Sequence, residues 1–573
     1  MQKSANTHEK IAVAAVALAI GAVLAATGCA APDEQRPDDA QGTFLFREVS
    51  GAIEPAVGTW PDGTFAVPEI TGGGVALWDY DADGDLDILH VRFPPPGQPN
   101  AAAPNRLYKQ ELDGSFTDVT DSSGLGDPGY GQGVAVGDVD NDGDPDLFVA
   151  NYGLDALYLN NGDGTFTDAT ARSGIEGDLW SSSATFCDYD ADGLLDLYVA
   201  HYLRFDPVAI CLDPSGKRDF CGPVRFDGVA DTLYRNNGDA SFTDVTRPAG
   251  LGLRDGGRSA KGLGVICADL TDDGLVDIYV ANDGKANFFW INRGDGTFVE
   301  QALIRGVAVN HDGSPESSMG ISVGDADGDG VLDLFMTHLY GETNTFYRGR
   351  GGRMFSDRTA AVGLGMDDLA LTGFGCGFFD YDNDGDLDLA VVNGRVYRGP
   401  PLPGASLGPF WNEYAEPNLL FENDGTGRFR NVSDRAGRFT SRVELTRGLA
   451  FGDLDDDGDL DLALANGNDT LRIYHNNAPA EGAHWLRVRA LTGPRDAIAA
   501  TVRLVTGERS FLGLVLPGAS YISSSDPRVH FGLGSIQRID SIEVRWPDGS
   551  RESFAGSEVD RQVVLRQGTG VIR

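Results

Sequence analysis

The sequence predicts an all-β chain: a seven-bladed β-propeller with cation-binding loops, closed by its own N-terminal strand, followed by a small C-terminal β-domain. Three observations lead there. An acidic nine-residue loop recurs seven times. Each copy is flanked by short apolar runs of strand length. The repeats are also out of step with the chain ends by one strand, as a ring that closes on its own termini requires.

The first loop places Asp79, Asp81, Asp83 and Asp87 at positions 1, 3, 5 and 9, with Gly84 at position 6 where the chain turns sharply. The spacing returns at Asp138, Asp140, Asp142 and Asp146, and at Asp188, Asp190, Asp192 and Asp196. It returns again at Asp325, Asp327, Asp329 and Asp333, at Asp380, Asp382, Asp384 and Asp388, and at Asp453, Asp455, Asp457 and Asp461. One copy departs: Asp269, Asp273 and Asp277 hold their places, but Thr271 replaces the second carboxylate. Alternate residues of a tight turn point inward together, and calcium takes six to eight oxygens, so the pattern predicts up to seven Ca2+ sites. Position 7 serves through its backbone carbonyl, which leaves its side chain free to vary as Asp85, Asp144, Leu194, Leu275, Val331, Asp386 and Asp459. Magnesium fits less well, because it prefers a rigid octahedron with retained waters. An EF-hand is excluded: position 12 is His90 or Val149 instead of Glu, and the flanks read as strands.

A chain of 573 residues exceeds one ordinary core. The formal net charge of −41 is concentrated in the loops, and seven divalent ions would offset about a third of it. Ion loading therefore stabilises the fold by mass action. So acidic a surface excludes nucleic acid and anionic membrane as partners. Six cysteines are too few to be the main staple, and 77 glycines with 41% hydrophobic residues indicate many tight turns between strands.

At the N-terminus Lys3 and Lys10 precede an apolar run from Ile11 to Ala26, an export signal over residues 1–28. Its end resembles a bacterial lipobox, which implies lipidation of Cys29 and a lipoprotein at the outer membrane or cell surface, with ordinary cleavage nearby and a periplasmic or secreted protein as the alternative; Ala26 stands where Leu is usual. Residues 29–42 read as a flexible tether, so the membrane is reached only through the anchor.

Around the second loop the order is Gly133-Val-Ala-Val-Gly, loop, Leu147-Phe-Val-Ala-Asn, Ala156-Leu-Tyr-Leu-Asn, a Gly-Asp-Gly turn and Phe166-Thr-Asp-Ala-Thr. That is four short strands. Loop starts are 50 to 81 residues apart, which suits a four-stranded blade with variable loops. The seventh repeat stops after Leu471-Arg-Ile-Tyr-His-Asn-Asn without its fourth strand, while Phe44-Leu-Phe-Arg-Glu-Val-Ser lies unclaimed at the other end. Pairing the two closes the ring and removes an exposed edge. A single-layer β-solenoid is the structural alternative, and it leaves the permuted ends unexplained.

The pattern resembles the FG-GAP (VCBS) repeats of integrin α-subunits and many exported bacterial proteins, over residues 43–477. The resemblance implies a seven-bladed propeller with calcium between the first and second strands, and Thr271 puts the fourth site in question. From Ala483 the texture changes to alternating strands without a loop motif. His484-Trp-Leu, Ser525-Asp-Pro-Arg-Val-His-Phe-Gly-Leu-Gly and Ile542-Glu-Val-Arg-Trp-Pro-Asp-Gly resemble an ASPIC/UnbV domain over residues 483–567. The whole resembles the cartilage acidic protein family, which implies architecture more than activity.

Connectivity sorts the remaining features. Loops and Gly-Asp-Gly turns share one face; the insertions at 91–104, 201–230 and 393–417 lie on the other. The last carries Tyr397, Phe410, Trp411 and Tyr414, either a contact surface or a cap on the channel. Cys211 and Cys221 bracket one insertion and read as a disulfide in an oxidising compartment. Cys187, Cys267 and Cys376 read as small buried groups. His201 and His338 stand at strand ends as polar caps. Ser523 to Arg528 reads as a turn cluster, with a recognition loop as the alternative. No catalytic constellation is present, so the expected function is binding of an extracellular protein or glycan; a calcium-assisted polysaccharide lyase and a periplasmic scaffold are the alternatives.

Overall fold

The computed structural model describes residues 44–49, 60–98, 105–253, 256–351, 353–479, 482–507 and 509–572. The export signal, Cys29 and the tether lie outside the described residues. Within them the strands form seven four-stranded antiparallel units, the second and third joined edge to edge through Leu179–Cys187 and Asp146–Gly153. In the second unit these are Gly131–Gly137, Asp146–Gly153, Ala156–Asn160 and Phe166–Asp168, in chain order from inside to outside. Burial follows the same order: the inner strand is wholly buried, while Thr167 and Asp168 of the outer strand are exposed. Hence the inner strands read as continuous apolar and glycine runs, and the outer ones as the alternating Phe-Thr-Asp.

The seventh unit contains Thr446–Gly452, Asp461–Asn466 and Thr470–Asn476, and its fourth strand is Phe46–Glu48 from the N-terminal end, with Phe46 opposite Asn476. Inner strands of successive units pack together, and Thr446–Gly452 also packs against Val75–Trp78 of the first. Where they converge there is no room for side chains: a Cβ on Gly133, Gly264 or Gly320 would come within 2.1–2.3 Å of a carbonyl oxygen on the neighbouring inner strand.

The C-terminal strands have their own core, including Leu486, Val502, Phe531, Ile542 and Trp546. His484–Thr492 pairs in parallel with Arg561–Arg566 and antiparallel with Val529–Gly534. Yet residues 44–573 form one compact unit. The reason is a loop at 517–526 that enters the middle of the ring. Ser520 pairs with Ile321, Ser524 bridges Val75 and Leu77, the Ile522 N–H donates to Ser183 Oγ at 3.1 Å, and the Tyr521 hydroxyl donates to Thr71 O at 2.9 Å. Tyr521, Ile522, Ser523 and Ser524 are all buried. An exposed recognition loop at Ser523 and Ser524 is thereby overturned; short polar side chains are what a glycine-lined channel accommodates.

The opposite face is capped by the insertions. Phe65, Phe220, Phe410, Trp411 and Tyr414 pack together, and the Trp411 indole N–H donates to Pro61 O at 2.7 Å. Trp411 and Tyr414 are fully buried, so the capping alternative holds for them. Cys211 and Cys221 form a disulfide. Cys187 and Cys267 form another, which corrects their reading as separate buried thiols: Cys187 ends the inner strand of the third unit, Cys267 is the last but one residue of the inner strand of the fourth, and their Cα atoms are 6.2 Å apart. Cys376 is a buried free thiol.

Candidate metal centre

Each acidic loop folds around its own first aspartate. In all seven, the N–H of the position 6 glycine donates to one oxygen of the position 1 aspartate at 2.7–3.2 Å. The N–H at position 7 donates to the carboxylate at position 5 at 2.9–3.2 Å, which is what Asp85, Asp144, Leu194, Leu275, Val331, Asp386 and Asp459 have in common whatever their side chain. The glycines take φ between 84° and 106°, as the turn demands. Position 4 is also left-handed, held there by non-glycine residues in six loops: Ala82, Asn141, Ala191, Asp272, Asn383 and Asp456. That strained position escapes a reading based on glycine alone.

The folding brings carboxylates from both ends of the loop together. Asp79, Asp81 and Asp87 can each offer an oxygen with all three atoms within 4.8 Å, as can Asp138, Asp140 and Asp146, and Asp188, Asp190 and Asp196. Asp325, Asp327 and Asp329 do the same. Oxygens of Asp81, Asp140, Asp190, Asp325 and Asp453 are buried and make no hydrogen bond. Such atoms cost free energy unless a cation takes them up, so the donor set fits a hard divalent ion. The fourth copy keeps the loop geometry despite Thr271. The Asp273 N–H donates to Asp269 at 3.0 Å, and the buried Thr271 Oγ1 and one oxygen of Asp277 are left without partners.

Electrostatics point the same way. Burial, reinforced by neighbouring carboxylates, pushes the position 9 groups up: Asp87, Asp146 and Asp333 to about 8 and Asp196 to about 9. Asp277, Asp388 and Asp461 are raised well above the carboxylate range by the same cause. Burial also lifts Asp138, Asp188 and Asp325 to about 6 and Asp453 to about 7. Burial thus disfavours the charged form of these carboxylates, a cost that a divalent ion would offset.

Position 9 is also the hinge to the rest of the blade. One of its oxygens accepts a backbone N–H at the end of the third strand, at 2.7–2.9 Å in all seven units: from the last residue in six, and from Gly349, one before the last, in the fifth. In five units that residue is an asparagine, and its side-chain amide donates to a loop carbonyl of the preceding unit: Asn160 to Tyr80, Asn236 to Val139, Asn292 to Tyr189, Asn423 to Ala326 and Asn476 to Tyr381. Gln110 reaches Leu454 of the seventh unit in the same way, at 2.6 Å, and Gly349 takes the place in the fifth. The repeated Asn at the end of the third strand was the sequence signal for these residues.

The loop face is covered by the C-terminal domain, which turns arginines toward it. Arg487 reaches Asp453 at 3.0 Å and Asp456 at 2.7 Å, and Arg545 pairs with Asp269 and Asp272. Arg509 donates to Gly385 O at 2.6 Å and Arg495 to Gly193 O at 3.2 Å. The histidines of the strand ends are structural. Burial drives His201 and His338 down to about 4, where they are neutral, and His338 Nδ1 lies 2.9 Å from Thr343 O.

Comparison with known proteins agrees with this division. An FG-GAP-like repeat model matches residues 79–149, 138–199 and 269–336, and an ASPIC and UnbV model matches 491–572. Cartilage acidic protein 1 of Xenopus tropicalis is 28% identical over 345 residues, 59% of this chain and 49% of the relative. The Homo sapiens protein of that name is 28% identical over 340 residues, 58% of this chain and 46% of the relative. The chain thus spans about half the length of the curated relatives it matches. Among solved structures, an Agrocybe aegerita lectin recognising terminal N-acetylglucosamine aligns over 70% of this chain and 86% of its own, at 16% identity and a TM-score of 0.39. A rhamnogalacturonan lyase aligns over 77% and 76%, at 15% identity and a TM-score of 0.36. The chain thus carries FG-GAP-like repeats within residues 79–199 and 269–336 and an ASPIC and UnbV match over 491–572, and it is similar to cartilage acidic protein 1.

Proposed function

We propose that this is an exported, calcium-stabilised propeller that binds a protein or glycan outside the cell and is not an enzyme. Up to seven calcium ions fill the loops and knit the ring, and millimolar extracellular calcium suffices for sites of modest affinity. Two disulfides suit an oxidising compartment.

One observation carries the binding reading. The loop face is covered and the channel is filled, but the insertion at 201–230, on the far face, holds Val208, Ile210 and Leu212 out to solvent at 80%, 67% and 63% exposure. They alternate with half-buried Ala209 and Cys211 along a turn that leads into the two-residue strand Cys211–Leu212, and keep their apolar side chains outward. The Cys211–Cys221 disulfide pins this stretch, and Val224 beside it is 94% exposed. A fixed apolar stripe of this kind is a contact surface waiting for a partner. Aliphatic side chains favour a protein over a sugar, which stacks better on aromatic rings.

The test is a glycan array and a panel of exported proteins probed with the calcium-loaded chain, beside a polysaccharide-cleavage screen. Binding without turnover, lost in the Ile210→Asp and Leu212→Asp double variant at unchanged melting temperature, supports the proposal. Turnover that creates unsaturated sugar ends would overturn it.

A further inference from the structure

The seven loops are alike in backbone but differ in one neighbour. The residue just before the strand-end Asn, Gln or Gly of the third strand stands beside the loop. In the first unit it is Lys109, whose ammonium bonds Asp81 and Asp83. In the fifth it is Arg348, paired with Asp327 and Asp329. Both offer only N–H donors, so neither can ligate a metal.

In the seventh unit the place belongs to His475. Its Nδ1 is buried and pairs with an oxygen of Asp455 3.1 Å away, the partner a shared ion would take over from both. Asp455, Asp461 and His475 together can offer three ligand atoms within 4.8 Å of one another. Asp453, with its side chain 1% exposed, gives one oxygen to Arg487 and the Gly458 N–H and keeps the other buried and unpartnered.

We propose that the seventh loop is a mixed nitrogen and oxygen site for a borderline first-row divalent ion of the zinc class, with His475 Nδ1 as its nitrogen ligand and Asp453, Asp455 and Asp461 as its oxygens. Calcium prefers an all-oxygen shell, whereas imidazole with carboxylates suits zinc and its neighbours. The ring would then carry one chemically distinct position among otherwise hard-ion loops.

The inference rests on reading the loops as cation sites, and one experiment separates the two. The full chain is saturated with calcium, given one equivalent of Zn2+, desalted and analysed for both metals; a parallel sample with half an equivalent of Cu2+ is examined by electron paramagnetic resonance. The expected result is one retained zinc, nitrogen coupling on the copper, and loss of both, at least tenfold in zinc affinity, in His475→Leu. His475→Lys reproduces the first unit's arrangement and guards against misfolding: it should keep the calcium of the other loops and lose the zinc. No zinc retained against calcium, or zinc and nitrogen coupling unchanged in His475→Lys, would overturn the assignment. Absence of calcium as well as zinc would instead strike the cation reading of all seven loops.

Discussion

At the scale of single residues, burial raises the cost of ionising the carboxylates that end each loop. Asp87, Asp146 and Asp333 sit at about 8 in the fold against 3.8 in the open chain. A raised folded value means the metal-free fold binds more protons than the unfolded chain between those limits. Stability in chelator should therefore be highest near pH 4 to 5, fall as pH rises to about 8, and level off above it. With calcium present, protons and metal compete for the same oxygens, so affinity should rise over pH 6 to 8. Melting curves across that range, with calcium and with chelator, check both slopes; parallel curves would contradict them. Losing one loop should cost little globally. Asp142→Ala removes a proposed ligand, and at calcium a hundredfold above the dissociation constant one site would contribute about 2.7 kcal/mol. The expected loss is therefore roughly 5 °C in calcium, with strand content by circular dichroism unchanged.

At the scale of the blade, the Asn that ends the third strand joins two units at one point. Asn236 is buried and donates to Val139 O at 2.7 Å and Leu195 O at 3.0 Å, while Asn237 beside it is exposed and its side chain bonds only Ser241 and Thr243 of its own hairpin. Asn236→Ala leaves two buried carbonyls unpaired and should destabilise by about 2–3 kcal/mol. Asn237→Ala should stay within about 0.5 kcal/mol, and chemical denaturation of both variants reads the difference. Blades were legible in the sequence because each loop marks the join of two strands and Asp at four fixed places is a rare pattern. The closing strand was legible for a related reason: Phe46 to Glu48 repeats the outer-strand pattern and has no unit of its own near it. The Cys187–Cys267 link was not, because 80 residues separate them and only the side-by-side packing of two inner strands brings them together. Nor was the role of Trp411 and Tyr414, since an aromatic run reads alike whether it meets a partner or a neighbouring insertion.

At the scale of the whole molecule, the ring and the C-terminal domain are not independent. The loop at 517–526 is rich in serine, which in sequence marks only a turn, yet its side chains and backbone bond the inner strands of several units. Tyr521 is buried against Phe374 and bonds Thr71, so Tyr521→Ala should destabilise the full chain by about 3 kcal/mol or more, as large-to-small changes in a packed centre do. Differential scanning calorimetry reads this directly: ring and C-terminal domain should still melt in one transition in the native chain, and two well-separated transitions would contradict their coupling. Above all stands the claim that divalent ions hold the closed ring together. The most direct measurement is a thermal melt of the full chain during titration with a calcium chelator, paired with elemental analysis of the purified protein. The account predicts several bound ions per chain and a melting temperature that falls as they are removed; a chain free of metal whose melting is indifferent to the chelator would contradict it.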